Sequence, residues 1–136
     1  MRKIYFFGTV LLLLGLAGWG ILTVLRPHRN VASDKAVASL SAENLYHEFE
    51  AGESVANKKW VGKVIEITGT VSSVSDAGNY ISINLRATDD AGINCSVLKK
   101  DMAPEDRPKT GTRVKIKGKC TGFLIDVNLV DCIIKK

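Results

Sequence analysis

The sequence predicts an all-β fold, a small five-stranded barrel with an N-terminal helical segment, preceded by one transmembrane helix. Three observations predict it. Residues 4–25 form a run of 22 without a charged side chain. Residues 41–59 place apolar side chains at helical spacing, and from Gly62 onward apolar residues recur at every second position in five stretches. A chain of 136 residues holds one ordinary domain and is too short for a multidomain enzyme.

The apolar run comes first. At 1.5 Å per residue a helix of this length reaches roughly 33 Å, enough for a hydrocarbon core of about 30 Å. Pro27 ends it just after Arg26. The length favours an uncleaved anchor; the other reading is a cleaved secretory signal with Arg2 and Lys3 as its basic start. Leu16-Ala17-Gly18-Trp19 has the form of a bacterial lipoprotein box, but Trp19 stands where the acylated cysteine is required. Arg2 and Lys3 on one side balance Arg26, Arg29 and Lys35 on the other, so flanking charge sets no orientation. The domain division is therefore 1–26 membrane helix or signal anchor, 27–40 linker, and 41–136 folded domain.

Charge narrows the function classes. The chain carries +5 overall, but without Arg2, Lys3, Arg26 and Arg29 residues 30–136 hold 15 basic against 14 acidic side chains. The basic balance belongs to the membrane flanks, and a strongly basic nucleic-acid binder is disfavoured.

Ser41 is suited to cap a helix through about Ala51, with Leu45 and Phe49 four apart on its apolar stripe. A second helical stretch, 53–59, leads to Trp60, a plug for the sheet that follows. The period then changes to two. Ile65, Ile67 and Val71 share a parity, as do Ile81, Ile83 and Leu85, then Ile93, Cys95 and Val97, then Val114, Ile116 and Cys120, with a last run over 125–134. Turn residues separate them at 76–79, 89–92 and 121–122, and the longer segment 99–111 contains Pro104 and Pro108. Gly69 marks a bulge or bend in the long first strand, which lets it serve two sheets. A five-stranded barrel of this order is the OB architecture.

Four stretches carry a family resemblance: Ser41-Ala-Glu-Asn-Leu-Tyr-His-Glu-Phe-Glu50, Ala56-Asn-Lys-Lys-Trp-Val-Gly-Lys-Val64, Ile67-Thr-Gly-Thr-Val71, and Lys117-Gly-Lys-Cys-Thr-Gly122 with Asp126-Val-Asn-Leu-Val-Asp-Cys132. Together they resemble the tRNA_anti-like family of OB-fold proteins, many of them exported bacterial lipoproteins, notably in the Bacteroidetes. The resemblance spans about residues 41–134. It implies the OB fold and export, hence a single-pass membrane protein with its domain in the periplasm. It brings no catalytic residues, no cofactor and no established tRNA binding.

The candidate ligand face follows from the fold. OB domains bind across the second and third strands and the loops between the first and second and the fourth and fifth. Outward positions there are Tyr80, Ser82, Asn84 and Arg86, then Asn94 and Ser96, with Phe123 near a loop. Single-stranded nucleic acid needs stacking platforms, and Tyr80 is the one aromatic on the strands of this face. A small, polar surface fits a protein, peptide or glycan partner. Lys115, Lys117 and Lys119, with Arg113, alternate with apolar or small residues and share an outward face. They are a candidate patch for phosphates or anionic lipids, or simply a solubilising strand edge.

Catalytic chemistry is not expected. There is no Gly-x-Ser-x-Gly, P-loop or paired-carboxylate pattern, and His47 reads as part of an acidic helix face, four residues after Glu43. No Cys-x-x-Cys is present, so a metal site is not expected. In a simple hairpin turning near Phe123, Cys132 falls opposite about Val114, far from Cys120. Cys95, Cys120 and Cys132 are then either buried thiols or include one disulfide.

Overall fold

The computed structural model describes residues 31–136, together with Gly8 and Gly15. The expected membrane segment, 4–25, lies outside the described residues apart from those two glycines. Among the described residues no helix is long and apolar enough to cross a membrane.

Strand β1 (Ser39–Ser41) leads into helices α1 (Ala42–Ala51) and α2 (Glu53–Trp60). Strands β2 (Val64–Ala77), β3 (Tyr80–Arg86), β4 (Gly92–Leu98), β5 (Arg113–Phe123) and β6 (Val127–Lys135) follow, with two short 3-10 turns between β4 and β5. The five long strands close into a barrel in the order β2-β3-β4-β6-β5 and back to β2, and β1 is an additional strand on β2. Closure depends on the length of β2. Residues 64–70 pair with β5, and residues 71–77 pair with β3. The strand serves both neighbours by turning at an irregularity between Val71 and Ser73.

That irregularity corrects the expected role of Gly69. Gly69 keeps regular register with Val114. Its lack of a side chain has another cause: a Cβ there would lie 2.9 Å from the Ala42 Cβ and 3.2 Å from the Leu85 Cβ, where α1 seats on the barrel.

The helical pair matches the expectation. The Ser41 hydroxyl accepts from the Asn44 amide at 3.1 Å, satisfying a first-turn donor. Leu45 and Phe49 enter the core, and Trp60 is buried with its indole N–H donating to the Glu48 carboxylate at 2.7 Å. Ile65, Ile67, Ile81, Ile83, Leu85, Ile93, Val97, Ile116 and Leu129 fill the interior. Each such side chain contributes roughly 1.5–3 kcal/mol by leaving water.

The β5–β6 hairpin departs from the sequence reading. Its turn is not at 121–122: Phe123 pairs with Val127, so the turn is 124–126. Gly122, at φ 128°, belongs instead to an irregularity between Cys120 and Gly122. Leu124 and Ile125 are 85% and 80% exposed at the tip. Their apolar character mimics a strand end, which is why alternation alone misplaced the turn.

The segment 27–40, expected as a tether, is partly built into the domain. Val37 donates its amide to the Val64 carbonyl, and Ser39, Leu40 and Ser41 run parallel to Glu66, Ile67 and Thr68. Val31 is buried as well.

Candidate ligand face

The outer surface of β3 and β4 is a ladder of small polar side chains. Ser82 stands opposite Ser96 and Asn84 opposite Asn94, because antiparallel register places outward residues in pairs. The Ser82 hydroxyl donates to Asn94 Oδ1 at 3.2 Å. Asn84 Nδ2 donates to the Ser73 hydroxyl at 3.0 Å, and the Ser72 hydroxyl donates to the Asn84 carbonyl at 3.1 Å. Asn84 Oδ1 is buried without a hydrogen-bond partner, a position that costs free energy unless a donor arrives.

Around Asn84 the surface sinks into a groove of about 260 Å³, lined by Ser72, Ser73, Arg86, Thr88, Asp89, Asp90, Gly92 and Asp126 among others. Two loops make its rim. In the β3–β4 loop the Thr88 hydroxyl accepts from the Ala91 amide at 3.0 Å. The β5–β6 turn contributes Asp126, whose Oδ1 accepts from the Gly92 amide at 2.8 Å and ties the loops together. Gly92 is required there, since a Cβ would collide with the Leu85 carbonyl oxygen. Asp89, Asp90 and Asp126 against Arg86 make this end acidic.

The fold thus brings Ser82, Asn84, Arg86, Asn94 and Ser96 onto one surface, with Tyr80 at its far end opposite Leu98. It does not bring Phe123. That ring packs against Tyr46 and Phe49 of α1, both at 5.8 Å between centroids. Sequence reading missed Ser72, Ser73 and Asp126, which reach the groove through the β2 irregularity and the displaced turn. The only signals available were a pair of serines in a strand and a turn-forming Asp.

The basic strip is dispersed. Lys117 is only 5% exposed, and its ammonium donates to the carbonyls of Ala32 at 3.0 Å and Asp34 at 2.9 Å. Residues 32–34 lie over it, so outward parity does not make it a surface charge. Lys115 pairs with Glu66 at 3.5 Å, Lys119 is half-buried, and Arg113 is exposed. Elsewhere Asp76 binds Lys99 at 3.0 Å and Arg107 at 3.1 Å, holding the 99–111 segment against the β2–β3 turn. Those two cations keep its carboxyl below the usual range, Lys99 most strongly.

His47 meets Glu50 at 3.1 Å, three residues on, rather than Glu43. Among the described residues no group of His, Cys, Asp and Glu is arranged to hold a metal ion. Cys95, Cys120 and Cys132 are buried thiols. Burial pushes the Cys120 thiol up, and burial with the neighbouring Cys95 raises Cys132 well above the ordinary value. Cys132 does not face Val114: with the turn at 124–126 it lies over Gly118.

The tRNA_anti-like family model matches residues 1–134. The chain belongs to the tRNA_anti-like family. No curated protein matches it in sequence. In fold it is similar to a candidate nucleic acid-binding lipoprotein from Klebsiella pneumoniae, with a TM-score of 0.60 and 16% identity over 82% of this chain and 100% of that one. It is more distantly similar to the asparaginyl-tRNA synthetase of Entamoeba histolytica, with a TM-score of 0.48 and 13% identity over 74% of this chain and 24% of that one. A component of the S. pombe Stn1-Ten1 complex gives a TM-score of 0.42 at 14% identity, over 54% of this chain and 58% of that one. At these identities the likeness is one of fold.

Proposed function

We propose that this tRNA_anti-like protein is a membrane-anchored, non-enzymatic binding or scaffolding module of the bacterial cell envelope. It presents the β3–β4 face to a hydrogen-bonding partner, a protein, peptide or glycan. The observation that carries the reading is the face itself. Serines and asparagines line it, its one buried orphan acceptor needs a donor from outside, and carboxylates gather at its loop end. A phosphate backbone would meet those carboxylates and find Tyr80 as the one stacking ring, since Phe123 is engaged by α1.

Topology supports the same reading. In the ring β2-β3-β4-β6-β5, strands β3 and β4 lie across the barrel from β5. The lead-in from the apolar run is held on β5 through Lys117. The ligand face therefore points away from the anchored wall, toward the aqueous compartment.

Two measurements test the proposal. A reporter fused after Lys136 and active only outside the cytoplasm is expected to be active; an inactive one would remove the envelope assignment. The full chain in lipid nanodiscs is then titrated with labelled single-stranded RNA and DNA and with envelope glycan and peptide fragments. The expected result is binding of a glycan or peptide, weakened by Asn94→Ala, with no saturable nucleic-acid binding at physiological salt. Micromolar nucleic-acid binding weakened by Tyr80→Ala would replace the proposal with a nucleic-acid-binding OB protein.

A further inference from the structure

The three cysteines lie on β4, β5 and β6, and the fold treats them unequally. Cys95 and Cys132 are 0% and 2% exposed, and their thiols are in hydrogen-bonding contact inside the barrel. Their meeting depends on one irregularity. In a regular strand Leu129 inward would place residue 132 outward, because successive side chains alternate. Between the pairs Lys119 with Val130 and Lys117 with Ile133, however, Gly118 alone faces both Asp131 and Cys132. Asp131 takes the extra position at φ 52°, and Cys132 turns inward. Gly118 makes the room: a Cβ there would come 2.5 Å from Cys132 Sγ.

The contact sits at the barrel's shortest seam. Strands β4 and β6 run parallel and share three residue pairs, from Ile93 with Val127 to Cys95 with Leu129. Cys120 lies on the neighbouring β5, with its thiol at the Gly122 backbone.

We propose that Cys95 and Cys132 form an intramolecular disulfide that closes the β4–β6 seam, made by exchange with a disulfide oxidant as the barrel assembles, while Cys120 stays a thiol. Two thiols release two protons and two electrons. One bond forms between the two Sγ atoms, and the oxidant's sulfur–sulfur bond breaks to give two thiols. The exchange belongs to assembly rather than to the finished barrel, because the nucleophile is the thiolate and burial keeps the Cys132 thiol protonated. Glycine at 118 and the inverted parity at 131 are then the means by which two strands that barely pair are joined.

The test uses the full chain, reduced and denatured, then refolded in oxidised and reduced glutathione, trapped with an alkylating agent and mapped by mass spectrometry. Trypsin leaves Cys120 and Cys132 together on peptide 120–135, so the assignment is made in the Cys120→Ala variant. Peptide 87–99 is expected linked to 120–135, and a reductant is expected to lower Tm by on the order of 10 °C. That reductant-dependent difference is expected to vanish in Cys95→Ala. Should Cys95→Ala fail to refold, the peptide map of Cys120→Ala decides alone. Two alkylated thiols in the refolded Cys120→Ala protein, or a link to Cys120 in the unsubstituted chain, would overturn the proposal.

Discussion

The two opposite walls of the barrel are written in the same alternating code and end up in different states. On β3 and β4 the outward residues remain a surface: Ser82, Asn84, Asn94 and Ser96 bond to one another and to the β2 serines and leave an acceptor over. On β5 the outward Lys117 has become interior, roofed by residues 32–34 and bonded to their carbonyls. Parity says which side of a sheet a residue takes. It does not say whether other chain lies on that side. Polar groups on a covered wall are committed to stability, and those on an open wall are available to a ligand.

The sharpest way to break this comparison is Lys117→Glu. A carboxylate facing two carbonyl oxygens in a covered site is expected to cost about 3–5 kcal/mol, whereas Lys115→Glu, two residues away on the exposed pair with Glu66, costs about 1 kcal/mol. Urea unfolding of the two variants checks it; equal losses would mean that residues 32–34 do not seal Lys117. Next in size is Gly118→Ala, which crowds Cys132 and Leu129 and is expected to cost about 1–3 kcal/mol, read from the shift in urea midpoint.

The junction of the helices should respond to pH. Glu48 is bonded by Lys59 at 2.9 Å and by the Trp60 indole, and Lys59 in particular holds its carboxyl below the usual 4.5. A depressed carboxyl stabilises the fold above its unfolded pKa and loses that contribution as pH falls through its folded value. Stability is therefore expected to decline below about pH 4.5. With 34% of its side chain exposed, Glu48 contributes under about 1 kcal/mol after screening. Thermal melts at successive pH values should show that component missing in Glu48→Gln. The smallest effect belongs to the open wall. Asn94→Ala and Ser96→Ala are expected to move stability by no more than about 0.5 kcal/mol while changing ligand binding, as calorimetry and titration would show. A large loss of stability there would mean that the face is structural.

Much of this protein was determined by the sequence alone. Alternation at Ile65 and Ile67, Ile81 and Ile83, and Ile93 and Cys95 is local, and burying one face of each strand leaves few other arrangements. The Ser41 cap and the Leu45 and Phe49 stripe likewise depend on neighbours three and four residues away. The outward polar ladder of the ligand face followed from the same parity. What only the tertiary structure decided were effects that need distant chain. The β5–β6 turn moved to 124–126 because two irregularities set its register, which carried Cys132 to Gly118 and Cys95. Ser72, Ser73 and Asp126 joined the groove by strand curvature and loop approach, and Phe123 left it for Tyr46 and Phe49. Lys117 lost its solvent to a segment more than 80 residues earlier, as its bonds at separations of 85 and 83 record. A side chain's face is a local property of the backbone, whereas its solvent and its partners belong to whatever chain folds back upon it.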